Sequence, residues 1–86
     1  WLTSDNTNGY YNTALGMYSL GNNTLGNSNN AVGYQSLYLN TTGQHNNSYG
    51  LSSLYSNTIG SYNASYGTYA LYSNITGSNN LGFGYN

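Results

Sequence analysis

Gly16, Gly33, Gly50, Gly67 and Gly84 stand seventeen residues apart, and Gly9, Gly26, Gly43, Gly60 and Gly77 keep the same interval. Two asparagine rows run in that register: Asn6, Asn23, Asn40, Asn57 and Asn74, then Asn12, Asn29, Asn46, Asn63 and Asn80. Five periods without an insertion or deletion define a structural unit that stacks on copies of itself. Complete units run over 16–32, 33–49, 50–66 and 67–83, with partial units at both ends.

Counted from its first glycine, one period reads Gly33 to Tyr49, GYQSLYLNTTGQHNNSY. Its fifth position is Leu20, Leu37, Leu54 and Leu71, with Thr3 the exception; its seventeenth is Leu15, Val32, Tyr49, Tyr66 and Phe83. The fourth and sixteenth positions stay small, as in Ser36, Ala70, Ala31 and Ser48. Recurrent Gly, Asn, Ser and Thr disfavour helix, and no long 3.6-residue stripe offsets them. Short strands between glycine corners fit better, and Asn30-Ala31-Val32-Gly33-Tyr34 and Ser36-Leu37-Tyr38-Leu39 have strand length. Glycine supplies left-handed corners, which asparagine also tolerates.

The fold expected is all-β, a parallel β-solenoid (β-roll) of about five 17-residue coils, each roughly 4.8 Å from the next. Like residues then form ladders. The Leu row and the Leu/Val/aromatic row are expected to fill a thin core, with Ala and Ser where its walls come close. The asparagine rows are expected at corners, each amide donating to one neighbouring coil and accepting from the other.

Composition narrows function by elimination. Asp5 is the only acidic residue, Lys and Arg are absent, and charged residues are 1% of the chain; roughly a quarter is usual in soluble domains. Such a composition resembles disordered low-complexity sequence, but disordered tracts do not hold one apolar position through five repeats. Without cysteine there is neither a disulfide framework nor a thiolate site. Apolar runs are too short to span a membrane. The start at Trp1, with no basic or apolar leader, reads as a processed chain or a piece of a longer one.

Catalysis needs converging acid, base or nucleophilic groups. Asp5 and His45 occupy different positions of the period, and His45 reads as a solvated loop residue. One carboxylate and one imidazole do not assemble a calcium or zinc site, and no cofactor is expected. Tyrosine could stack on bases, but no cation neutralises phosphate, which argues against nucleic-acid binding. Asn22, Asn40, Asn46, Asn63 and Asn74 begin N-x-[ST] sequons, for which chance is the better account in so Asn-, Ser- and Thr-rich a chain; sugar on exposed Ser or Thr stays open.

Asn30-Ala31-Val32-Gly33-Tyr34-Gln35-Ser36-Leu37 resembles the small-Ile/Val-Gly-x-x-Ser/Ala core of YadA-type trimeric autotransporter adhesin heads, and similar Asn/Gly-rich arrays occur in bacterial surface proteins and phage fibres. The resemblance covers nearly the whole chain. It implies a left-handed parallel β-roll at an extracellular or cell-surface location, with adhesive or spacing duty.

The function expected is thus a structural or adhesive segment of a bacterial surface fibre, and no enzyme. A phage tail-fibre segment, or an ice- or carbohydrate-binding solenoid, is the alternative. The last wants a regular outward Thr or Tyr ladder; Thr7, Thr24, Thr41, Thr58 and Ile75 approach one. The expected partner is the chain itself, head to tail, since Trp1 and Asn86 share one position of the period and neither end carries a charge or proline to block strand addition. Lateral pairing or trimerisation through an apolar ladder, and contact with surface carbohydrate, are further expectations.

Overall fold

The computed structural model describes residues 9–86; Trp1, Thr3, Asp5, Asn6 and Thr7 lie outside them. Among the described residues five three-residue strands recur once per period: β1 (Thr13–Leu15), β2 (Asn30–Val32), β3 (Asn47–Tyr49), β4 (Ala64–Tyr66) and β5 (Leu81–Phe83). They pair in chain order, all parallel, with every residue opposite the one seventeen later, as in Ala31↔Ser48. The molecule is a β-solenoid of about four turns, and no described residue is helical.

Between strands the chain runs through consecutive turns. Ser36 N–H donates to the Gly33 carbonyl and Asn40 N–H to the Leu37 carbonyl, both at 3.2 Å. Gln35 (φ 58°) and Leu37 (φ 52°) are left-handed, as are their equivalents in each period. Ser36-Leu37-Tyr38-Leu39 is therefore turn, not the strand its length suggested. The left-handed region costs a leucine about 1–2 kcal/mol. Full burial of the side chain contributes about 1.5–3 kcal/mol, and Leu37 N–H also reaches the Ser53 carbonyl one coil on, at 3.0 Å. Burial wins, so a bulky residue recurs where glycine would be easier.

Leu20, Leu37 and Leu54 are wholly buried and pack with Ala31, Ala14 and Leu71. The seventeenth row departs from expectation. Leu15 is 64% and Phe83 73% exposed, because the middle residue of each strand points inward and its flanks point out. The alternation places Ala31, Ser48 and Ser65 inside, and the Leu/Val/aromatic row lines the outer face of the sheet.

The two glycine rows share a close approach to the next coil, since a Cβ at Gly33 would fall 2.7 Å from the Gly50 carbonyl oxygen, and they differ in backbone conformation. Gly33 is left-handed at φ +125°. Gly43 is not; there a Cβ would collide with the Gly60 carbonyl oxygen and with Asn40 Oδ1. Its corner is defined by close approach of chains, not by φ. Nor do the ladder asparagines take up left-handed corners, which fall to residues such as Tyr62, His45 and Ser52.

Candidate functional site

The side chains singled out by periodicity form axial ladders. In the first asparagine row, Asn40 Nδ2 donates to Asn23 Oδ1 and Asn57 Nδ2 to Asn40 Oδ1, each at 2.9 Å, and Asn74 Nδ2 to Asn57 Oδ1 at 3.0 Å. The second amide hydrogen stays within the coil, Asn40 to the Gly43 carbonyl at 3.1 Å and Asn57 to that of Gly60 at 2.9 Å. Asn6 lies outside the described residues.

The second row works differently. Asn29 Oδ1 accepts from the Asn46 backbone N–H and Asn46 Oδ1 from that of Asn63, at 2.9 and 3.0 Å. Their Nδ2 groups donate to glycine carbonyls of the following coil, Asn29 to Gly43 and Asn46 to Gly60. Asn12 and Asn80 end this row with equivalent bonds on their inner sides. One amide thus joins three chain segments.

Serines complete the polar interior. Ser36 Oγ donates to Ser48 Oγ at 2.7 Å, Ser48 Oγ donates to the Ser53 carbonyl, and Ser53 and Ser65 share a hydroxyl bond. Among the described residues every buried side-chain nitrogen or oxygen has a partner. Satisfying all of them matters, since an unpaired buried polar group costs about 1–3 kcal/mol.

Aromatic ladders stand outside. Tyr49 and Tyr66 stack at 5.1 Å with planes 6° apart, Tyr66 and Phe83 at 5.1 Å, and Tyr55 and Tyr72 at 5.0 Å and 6°. His45 is exposed, as a loop residue should be, yet its ring lies flat on Tyr62 at 4.9 Å. Rings stacked along the axis cover one another's faces, which leaves little face for a sugar. The Thr row is half-buried, with Thr41 Oγ1 directed at the Thr58 carbonyl at 3.3 Å. Its neighbours Leu25, Thr42, Ile59 and Thr76 are exposed and mixed in chemistry. No uniform outward hydroxyl ladder results.

At the last coil the pattern is open on one side. Asn80 Nδ2 donates to Asn74 Oδ1 at 3.3 Å, as Asn63 Nδ2 does to Asn57 Oδ1 at 3.5 Å, without the following coil's glycine carbonyl that Asn63 also reaches. An open recess of about 500 Å³ lies there, lined by Leu71, Asn74, Asn80, Gly82 and Phe83 among others.

The sequons resolve on geometry. Asn40, Asn46 and Asn63 are buried and Asn74 half-buried, each with Nδ2 in a hydrogen bond, and Asn22 Nδ2 donates to the Tyr38 carbonyl at 2.9 Å. The nitrogen a glycan would take is occupied in all five. Among the described residues no three His, Cys, Asp or Glu side chains come together as a metal-binding group, and no helix is long and apolar enough to cross a membrane.

These features define a class by architecture, a parallel β-solenoid with internal asparagine ladders. No family model, characterised protein or solved structure matches the chain.

Proposed function

We propose that this chain is a structural segment of an extracellular or cell-surface fibre, with no catalytic role, and that it extends by adding coils end to end. The observation that carries the reading is the translational repeat of the interior bonds, by which each coil offers the next the same donors and acceptors, as Asn40 does to Asn57 and Asn57 to Asn74. On the outer edge of the last described coil, Leu71, Asn74 and Asn80 occupy the positions from which Leu54, Asn57 and Asn63 meet the coil beyond them. The chemistry that fits this edge is another coil of the same repeat, supplied by further chain or by a second copy. Such a head-to-tail contact does not close and generates a filament. The near absence of charge supports the reading, since charge is the usual block to strand addition. The likeness of the repeat core to YadA-type heads agrees with a surface location.

The test is negative-stain microscopy with light scattering on the 86-residue chain across a concentration series. Unbranched filaments that lengthen with concentration are expected, and Leu71→Asp, which places a charge in the recess, should shorten them. A compact monomer at high concentration would refute assembly between copies.

A further inference from the structure

Tyrosine makes up 12 of 86 residues, and the fold sets many of these rings one above another. Two pairs stack with nearly parallel planes across adjacent coils, Tyr49 over Tyr66 and Tyr55 over Tyr72, with ring centres 5.1 and 5.0 Å apart. Phenols are also the dominant oxidisable groups. Cysteine is absent, and one Met and one Trp complete the set.

We propose that Tyr49–Tyr66 and Tyr55–Tyr72 are sites of oxidative dityrosine crosslinking that staple one coil to the next. The co-reactant is peroxide, acting through a one-electron oxidant of the peroxidase class. Each phenol loses one electron and one proton, giving a phenoxyl radical with spin density on oxygen and on the ortho ring carbons. The two radicals pair their electrons in a new carbon–carbon bond between ortho positions. Both rings then rearomatise as the displaced ortho hydrogens return, through solvent, to the oxygens. Peroxide takes up the two electrons and two protons, together with its own hydrogens, as two molecules of water.

The stack limits which radicals meet: Tyr49 faces Tyr66, and Tyr55 lies closer and flatter to Tyr72, at 5.0 Å and 6°, than to Tyr38, at 5.5 Å and 27°. Held one coil apart, the partners react as an intramolecular pair at high effective concentration. Coupling requires the parallel rings to tilt edge to edge. Tyr66 is 38% exposed on the outer sheet face, so it has solvent space to pivot into. A bond between residues seventeen apart also closes a short loop in the unfolded chain, and it stabilises as a disulfide of that span does.

The experiment is peroxidase and hydrogen peroxide applied to dilute folded chain, made as an equal mixture of isotopically light and heavy protein. Proteolysis and mass spectrometry then locate crosslinked peptides and separate bonds within one chain from bonds between chains. The expected products join Tyr49 to Tyr66 and Tyr55 to Tyr72 within one chain, with dityrosine fluorescence and a raised melting temperature. Tyr66→Phe, which keeps a ring where the row already accepts Phe83, should abolish the first product and leave the second. Urea-unfolded chain should lose the pair preference. Crosslinks spread without preference over all tyrosines, bonds only between chains, or no dityrosine would each overturn the proposal.

Discussion

Asn57 Nδ2 lies 2.9 Å from Asn40 Oδ1, and the same bond joins Asn40 to Asn23 one coil earlier. Each amide donates toward one end of the solenoid and accepts from the other, so the interior is held by a chain of dipoles aligned with the stacking axis. Inside a low-dielectric core such bonds strengthen one another, and the same environment penalises any break.

Asn57→Asp tests this ladder. A carboxylate has no hydrogen to offer Asn40 Oδ1 or the Gly60 carbonyl, so two buried acceptors would face an anion. A loss of about 3 kcal/mol or more is expected, from the buried charge and the two unmet acceptors. Gln44→Ala, on an exposed side chain, should stay within about 0.5 kcal/mol. Chemical denaturation of both variants measures the difference.

The leucine row makes a second prediction. Leu54 is wholly buried, so Leu54→Ala should cost about 2–5 kcal/mol through lost contacts and a cavity, and Leu54→Asp more, through an unpaired charge. His45→Ala removes one exposed stacking partner of Tyr62 and should cost about 1 kcal/mol. Equal melting shifts for Leu54→Asp and His45→Ala would place the Leu row outside.

Gly43 and Gly84 should respond differently. At Gly43 an added Cβ meets backbone of the next coil and Asn40 Oδ1, whereas at Gly84 it meets nothing within 4 Å. Gly43→Ala is expected to cost about 3 kcal/mol through overpacking. Gly84→Ala carries only the backbone penalty of φ +97°, about 1–2 kcal/mol. Thermal melts of the two variants separate the cost of close approach from the cost of backbone conformation.

What the sequence disclosed was translational. The interval of seventeen and the parallel β-solenoid were legible because identical rows must fall on identical places in stacked coils. The buried Leu and Ala/Ser rows and the asparagine hydrogen bonding could be read for the same reason. The face each row presents was harder. A turn run with two left-handed residues, Gln35 and Leu37, resets the in/out alternation, and nothing in a leucine announces a left-handed backbone. Hence Val32 and Tyr49, expected inward for their apolar surface, stand on the outer face, while the smaller Ala31 and Ser48 beside them hold the interior. Size of the enclosed space, not hydrophobicity, decides that contest. The contrast between Gly33 and Gly43 was equally hidden, since both read only as glycine every seventeen residues.

The central claim is that each period of seventeen residues is one coil in register with its neighbours. Far-UV circular dichroism melts of two internal deletions test it most directly. Removing residues 33–49 joins Val32 to Gly50, an equivalent of the Gly33 it normally precedes. That chain should keep its β spectrum and a cooperative transition at somewhat lower temperature, as loss of one stacked unit requires. Removing residues 33–48 leaves one residue too many and turns inward side chains outward beyond the junction; it should lose cooperative melting. Two deletions that melt alike, at the same temperature and with the same sharpness, would contradict the account.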